Sequence, residues 1–416
     1  MLGWASVVGV NWGHLFHAYG VALDTPGYLH GLTDEHPSKR EAGVDHLQGA
    51  VLHQGTIYPA TPPAVAVVAG LLGEEAVRAP LSEETDTHRA AIDRLFQAKQ
   101  DECETLVTLL AWLADVGDSM SWTDVGDVSE PVDDADVAAL YAAMADDDDE
   151  VWSSPLADTL MRNAVVELQA MASGVLAAII TLIHDPDAKV RAEAANAASQ
   201  WAASMKAPVP PATVLAISAQ LASVTGRDEK AAFALALGKS GGDVSGFLTD
   251  QDEAIRACAA LFVNTPEATQ ILIASLTRPE QVDSWFQDKP AFFHARTRFT
   301  LLAEVIRRGG TIEQLLPAAL ALIGVSTGWL ADYDWGPILQ VAFPDAEFRP
   351  GVRPPLPNRL TRAQRQVIEA LLANQSLWDE HNGNARLARM KVGLPDDPAD
   401  VTAYLQSTPD TALPAG

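Results

Sequence analysis

The chain contains 416 residues, of which 48% are hydrophobic and only 6% aromatic, so a continuous core is available and global disorder is excluded. Its 55 acidic residues outnumber 28 lysines and arginines, and the formal net charge is -27 at pH 7. This balance disfavours nucleic-acid phosphates and anionic membrane surfaces, because both are bound through lysine and arginine. The charge favours a cationic partner instead.

The two cysteines and the first residues indicate a cytoplasmic protein. Cys103 and Cys258 lie far apart within apolar helical patterns, which predicts reduced core thiols and neither a disulfide nor a cysteine-ligated metal. The first ten residues lack the basic start of a signal peptide. No stretch of about 18 uncharged apolar residues predicts a membrane span.

The N-terminal region is rich in histidine. A metal site would need two or three of these histidines to converge with an acid, and their spacing fits no established metalloenzyme motif. We therefore expect hydrogen-bonded structural side chains, with a partner or ligand contact and a metal or catalytic use as alternatives. His14 and His17 are spaced to share one helix face. The residues concerned are His14, His17, His30, His36, His46 and His53, with Tyr19, Asp24, Gln54 and Tyr58 nearby.

An acidic region follows, with 17 acidic residues and no lysine or arginine from Asp101 to Leu160. Val116 to Asp136 contains two glycines and a proline and predicts a long loop, part of an irregular acidic insertion near 116–150. Acids open the next helix, but the acidic run after its end gains nothing from the helix dipole. A solvated loop is the alternative to a docking surface for a cationic protein, and the spacing does not fit a calcium-binding loop. The predicted docking residues are Asp133, Asp134, Asp136, Asp146, Asp147, Asp148, Asp149 and Glu150.

One turn occurs twice, at 185–191 and at 250–256, and weaker copies occur near 34–40, 84–91 and 228–233. Each strong copy has Asp-x-Asp, then a β-branched residue and an arginine, and leads into an alanine-rich run. The acids are expected to cap the following helix, and Arg191 and Arg256 to reach a carbonyl or carboxylate of a neighbouring unit. The distance along the chain between the two strong copies, with a weaker copy between them, predicts helical-hairpin repeats of roughly 30 to 40 residues.

Residues from about 172 to 263 resemble HEAT repeats of the bacterial type, and 26–95 is a looser match. The resemblance implies an α-solenoid of paired antiparallel helices with a concave binding face, and usually a scaffold or binding role without catalysis. We therefore predict an all-α fold, with a HEAT-like solenoid over 1–342. A proline-rich linker over 343–358 and a helical cap over 359–416 complete the predicted organisation.

A second candidate partner-binding group consists of aromatic rings interleaved with carboxylates near residue 330. Exposed tryptophan and tyrosine are favoured interface anchors, although packing between irregular repeats is the alternative. From Phe286 to Lys391, 13 basic residues exceed 10 acidic ones, so charge is polarised along the chain and self-association is a further possibility. The predicted partner-binding group is Trp329, Asp332, Tyr333, Asp334 and Trp335.

No recognised catalytic motif occurs in the sequence, and Gly238-Lys239-Ser240 predicts a helix end and not a phosphate loop. We predict a non-enzymatic protein-binding module or scaffold whose acidic surface engages a basic protein, for example an immunity factor that neutralises a cationic toxin. No catalytic residue, metal or cofactor is predicted. The alternatives are a HEAT-like enzyme of the lyase or glycosylase type and a self-assembling scaffold.

Overall fold

The computed structural model describes residues 2–81, 105–123, 130–145, 151–152, 154–293 and 295–411. Helices make up 67% of the structure and strands 2%, which confirms the predicted all-α class. Cys103, the weak turn copy at 84–91 and the acidic run at 146–150 lie outside the described residues.

The chain forms two compact units. Unit 1 consists of Met1–Asp243 and Pro290–Phe292, and unit 2 of Val244–Lys289 and Phe293–Gly416. The division therefore falls at residue 243, whereas the predicted organisation places its first boundary at 342. The proline-rich segment at 343–358 belongs to unit 2, together with the helices on both sides of it.

Unit 1 begins with two short 3-10 turns, Trp4–Ser6 and Trp12–His14, and an antiparallel hairpin of β1 (Phe16–His17) and β2 (Gly20–Val21). A π-helical turn, Leu47–Val51, directly follows the second helix, and 3-10 turns lie at His53–Gly55, Glu75–Arg78 and Thr181–His184. Its helices are α1 (Thr25–Gly31), α2 (Pro37–His46), α3 (Thr61–Leu71), α4 (Thr105–Trp122), α5 (Asp134–Ala145), α6 (Pro155–Ile180), α7 (Ala188–Ser204), α8 (Pro211–Ser223) and α9 (Arg227–Lys239).

Helix α7 lies at the centre of unit 1, where α4, α6 and α9 pack against it. The loop predicted from residue 116 onward is wrong up to Trp122, because α4 continues through Gly117. A Cβ atom on Gly117 would lie only 3.0 Å from the Trp201 amide nitrogen, so this glycine allows close packing of α4 on α7 and does not form a turn. Trp201 also donates from Nε1 to the Leu113 carbonyl at 2.7 Å, which links the same two helices.

Unit 2 contains the helices α10 (Glu253–Ala260), α11 (Pro266–Leu276), α12 (Pro279–Asp283), α13 (Thr297–Arg307), α14 (Ile312–Val325), α15 (Trp335–Ala342), α16 (Arg362–Ala373), α17 (Gly383–Lys391) and α18 (Pro398–Ser407). The proline-rich residues between α15 and α16 are not helical, as predicted. Helix α16 begins at a capping box, in which Thr361 and Gln364 satisfy each other's backbone amides. Asp397 caps α18 through the Ala399 amide.

The recurring turn has the same hydrogen bonds in three places. In each copy the side chain of the first aspartate accepts from the amide two residues later at 2.9 Å. An arginine six residues after that aspartate donates from Nη1 to two carbonyls of its own turn, at 2.7–3.0 Å. The prediction of a neighbouring partner holds for Arg191, which also donates to Glu229 of α9 at 2.5 Å. The three pairs are Asp34 and Arg40, Asp185 and Arg191, and Asp250 and Arg256.

Among the described residues, one helical segment, Pro155–His184, is long and apolar enough to cross a membrane by length and composition. Its most apolar window has a mean hydropathy of 1.9, and 39% of that window is buried inside the protein. Helix α6, which forms most of this segment, packs against α3 and α7. A single helix of this kind is compatible with a soluble protein.

Candidate functional site

The predicted docking acids that the structure describes lie at the start of α5. Asp133, Asp134 and Asp136 are all exposed. Asp133 has a local role, because its Oδ1 accepts from the Ala135 amide at 2.8 Å and so caps the helix. Their use by a partner stays a prediction, as does that of Asp146 to Glu150, which lie outside the described residues.

The second predicted group is divided between surface and core. Trp329 is 71% exposed and Asp332 and Tyr333 are exposed as well. Asp334 and Trp335 are fully buried, so the prediction that they contact a partner is wrong. The physical reason is the buried guanidinium of Arg298, which donates to Asp334 Oδ2 at 3.2 Å and holds this carboxylate in the core of unit 2.

A cluster of polar side chains lies where α4, α7 and α9 meet in unit 1, and we call it the acidic groove. On α4 and on α7 the polar residues are three or four positions apart, so they lie on one face of each helix. The sequence signal was only partial, since the two aspartates belong to the acidic stretch but nothing in the sequence pairs them with α7. The acidic groove comprises Asp115 and Asp118 of α4, Glu193, Asn196 and Gln200 of α7, and Lys239 at the end of α9.

The acidic groove contains a single lysine, Lys239, which neutralises only Asp118. Lys239 Nζ donates to Gln200 Oε1 and lies 3.5 Å from Asp118 Oδ1. In the described part of the chain, neither Asp115 nor Glu193 forms an ion pair, so both carboxyl groups lack a neutralising cation. These two carboxyl groups are therefore available to an external positive charge.

Hydrogen bonding in the acidic groove is also incomplete. Asn196 donates from Nδ2 to Glu193 Oε1 at 2.9 Å, but its Oδ1 atom is buried and has no hydrogen-bond partner. Unpaired buried polar atoms are uncommon in folded proteins and often mark a place where a ligand donates. Trp122 at the end of α4 is 82% exposed and donates from Nε1 to Asp118 Oδ2 at 3.1 Å.

The surroundings change the acidity of these groups. Burial raises the pKa of Glu193 to about 7, with an opposing contribution from the Asn196 hydrogen bond and a further rise from the charge of Asp115. Partial desolvation by the surrounding helices and the charge of Asp118 raise the pKa of Asp115 to about 6, although Asp115 is exposed at the groove edge. Burial lowers the pKa of Lys239. A bound cation would favour the ionised carboxylates and reverse the first two shifts.

A small crevice adjoins Asn196. Its cavity volume is about 10 Å³, which is room for about one water molecule. The lining includes Ser199, Ala232, Leu235, Ala236 and Phe292.

A second cluster lies near the N-terminus, and we call His17, Asp24 and His46 the histidine site. His17 lies on β1, Asp24 directly precedes α1, and His46 ends α2. His17 Nε2 lies 3.0 Å from Asp24 Oδ1, and His46 Nε2 lies 2.9 Å from Thr25 Oγ1. One nitrogen or oxygen atom from each of the three residues lies within 4.8 Å of the others. Two histidines therefore converge with an acid, which is the condition that a metal site requires.

Hydrogen bonds and burial define the state of the two imidazoles. The Tyr19 amide donates to His17 Nδ1 at 3.2 Å, so in a neutral ring the proton is on Nε2 and faces Asp24. Burial lowers the pKa of His46 to about 4, the nearby His17 lowers it further, and Asp24 opposes both. His46 is therefore neutral at pH 7.

The backbone around the histidine site is irregular. A π-helical turn at 47–51 follows His46 directly, and such turns are frequent at functional sites. Gln54 has a φ of 51°, which is rare for a residue other than glycine. Tyr28 stacks on His46 with ring centroids 4.3 Å apart, and Tyr19 is 70% exposed beside the site. These two rings mark its solvent-facing side.

The other predicted polar residues of this region have separate partners. His14 and His17 share no helix face, because one lies in a 3-10 turn and the other on β1. His30 stacks on Trp4 with centroids 3.8 Å apart, His36 pairs with Asp34 at 3.1 Å, and His53 lies 2.9 Å from the Gly49 carbonyl. Tyr58 packs against Phe16 in the core.

No family model, curated protein or solved structure matches this chain. The resemblance to HEAT repeats therefore depends on the recurring turn alone.

Proposed function

We propose that this protein is a non-enzymatic binding module whose acidic groove engages a basic segment of a partner protein. The observation that carries the proposal is the pair of un-neutralised carboxyl groups, Asp115 and Glu193, at the contact of α4 and α7. We further propose that the helices within each unit are stacked hairpins of the HEAT-like, solenoid type, which the recurring turn supports. A free and buried Cys258 is compatible with a reducing, cytoplasmic location.

The arginines of the chain support an acidic surface. The chain has 20 arginines and 8 lysines, so most of its positive charge is on arginine. Several of these arginines donate to carbonyls or carboxylates of the protein itself, and three of them pair with acids. They are therefore engaged within the protein, and the excess of 55 acidic over 28 basic residues remains. The arginines in question are Arg40, Arg191, Arg256, Arg298 and Arg308.

The acidic groove is suited to a guanidinium or ammonium group. An arginine of a partner could donate to Glu193 and to the unpaired Oδ1 of Asn196, and charge-assisted bonds of this type are the strong ones. Exposed Trp122 offers a stacking surface at the groove edge.

The test uses the full chain and a fluorescent decaarginine peptide as a defined probe. We expect Glu193→Gln and Asp115→Asn each to weaken binding by about tenfold, equivalent to about 1.4 kcal/mol. Asp158→Asn removes an equal charge at the exposed start of α6, outside both predicted binding groups, and is the matched control. Fluorescence anisotropy at low and high salt measures the affinity, which we expect to fall with salt in the wild type.

Proton release distinguishes binding of the peptide in the acidic groove from general electrostatic attraction to an acidic protein. Because a cation lowers the pKa of Glu193, binding at pH 7 releases protons, and affinity should rise from pH 6 to pH 8. Glu193→Gln should abolish most of that rise. If Asp158→Asn weakens binding as much as Glu193→Gln, and proton release is the same in all variants, the acidic groove is not the binding site. An immunity factor against a cationic toxin is a special case, in which the cognate toxin would replace the peptide as probe.

A further inference from the structure

We propose that His17, Asp24 and His46 bind one divalent first-row transition cation, such as Zn²⁺. The inference is independent of the acidic groove. It depends on the geometry of the histidine site, where two buried imidazoles and a half-exposed carboxylate present their ligand atoms within 4.8 Å of one another.

The type of ligand decides the class of cation. Calcium and magnesium prefer oxygen ligands, whereas two imidazoles and one carboxylate suit zinc, cobalt or ferrous iron. Three protein ligands also leave a coordination position for water or a further ligand. Zinc would therefore be held by His17, Asp24 and His46 with one position open.

Only small movements are needed for coordination. Tetrahedral ligands at about 2.0–2.1 Å from zinc are roughly 3.4 Å apart. His17 Nε2 and Asp24 Oδ1 are already 3.0 Å apart. The Asp24 side chain is 50% exposed and can turn, while the His17 side chain is only 5% exposed and is fixed by its neighbours. The open coordination position would lie on the solvent-facing side, where Tyr19 and Tyr28 are exposed.

Two hydrogen bonds have to be exchanged for metal bonds. His46 Nε2 would leave the Thr25 hydroxyl and bind the cation. His17 would change tautomer: its Nε2 proton would go to solvent and Nδ1 would take up a proton from solvent, so that the ring stays neutral. That nitrogen now accepts from the Tyr19 amide, so we expect the β1–β2 hairpin to shift there when the metal binds.

Binding of the metals alone to the untagged full chain tests the site. We expect calorimetry to give one Zn²⁺ per chain and Co²⁺ to develop the visible bands of a nitrogen-ligated, low-coordinate ion. His46→Gln should weaken Zn²⁺ binding at least 100-fold and Asp24→Asn at least tenfold. The control is His184→Gln, which removes an exposed histidine of unit 1 and should change affinity less than twofold. Zn²⁺ should raise the midpoint of thermal unfolding for wild type and control, but not for His46→Gln.

Circular dichroism without metal shows whether each variant is folded. If His46→Gln does not fold, Asp24→Asn decides the matter, because its side chain is half exposed. The proposal is overturned if the wild type binds no Zn²⁺, if Asp24→Asn and His184→Gln bind it equally well, or if bound Co²⁺ shows only oxygen ligands.

Discussion

Replacing Glu193 by glutamine is expected to stabilise the protein at pH 8 and to have a much smaller effect at pH 5.5. The pKa of this carboxyl group is about 7 in the folded chain against an ordinary value of 4.5. Between these values the folded state keeps a proton that the unfolded state has lost. The contribution of Glu193 to wild-type stability therefore falls as pH rises through this window. Glutamine cannot ionise, yet its side-chain oxygen still accepts from Asn196.

The magnitude follows from the difference in pKa. The rise from 4.5 to about 7 sets an upper bound of about 3.4 kcal/mol above pH 7, at about 1.36 kcal/mol per pKa unit. Glu193 is only half-buried, so solvent screening reduces the expected gain to about 1–2 kcal/mol. At pH 5.5 less than about half of that gain remains, because the wild-type side chain is protonated in the folded state.

Urea unfolding at the two pH values, followed by circular dichroism, gives the free energy of unfolding for each variant. Asp136→Asn serves as the control, because this exposed acid in the first turn of α5 interacts favourably with the helix dipole and its loss brings no gain. If Glu193→Gln shows the same stability difference at pH 5.5 and pH 8, burial of an ionisable carboxyl is not the cause. If the wild type is more stable than Glu193→Gln at pH 8, the acidic groove is not electrostatically strained.

Three further substitutions test the scaffold. Arg191→Met removes two carbonyl hydrogen bonds and an ion pair, and it should lower the free energy of unfolding in urea by about 2–4 kcal/mol. A loss below about 0.5 kcal/mol would contradict a bridging role for Arg191. Asp334→Asn leaves the charge of buried Arg298 under-compensated and should cost about 3 kcal/mol, with an unchanged thermal midpoint counting against it. Gly70→Ala would place a Cβ 2.2 Å from Gly3 Cα and should release the N-terminal segment to proteolysis, so unchanged cleavage would refute the contact.

The raised pKa of Glu193 bears on function. A partly buried carboxyl group of this kind lowers stability at physiological pH, and such groups are typical of binding sites. The proposed gain on Glu193→Gln and the proposed loss of peptide binding are therefore two consequences of the same electrostatic arrangement. Measuring both on one variant connects stability with binding.

Features that depend on local chemistry could be predicted from the sequence. The all-α class is confirmed, because helix formation depends on residues within one or two helical turns, as do the capping box at Thr361 and the cap at Asp397. The turns at 185–191 and 250–256 were recognised for the same reason, since arginine and its carbonyl acceptors are at most six residues apart.

Predictions that depended on a partner helix failed. Gly117 predicts a turn by composition, but it serves the close approach of α4 to α7. Asp334 was assigned to a surface patch, yet it pairs with Arg298, which is 36 residues away along the chain. In both cases the same residue type fits two environments, and only the neighbour supplied by the fold decides between them.

The sequence by itself determined the helical composition, the recurring turn and the excess of negative charge, because these follow from local pattern and residue counts. Only the tertiary structure placed Asp115 of α4 beside Glu193 of α7, and brought His17 and His46 together around Asp24. Burial and proximity between distant segments raise a carboxyl pKa to about 7 and assemble a three-ligand cluster, and neither property belongs to any single residue.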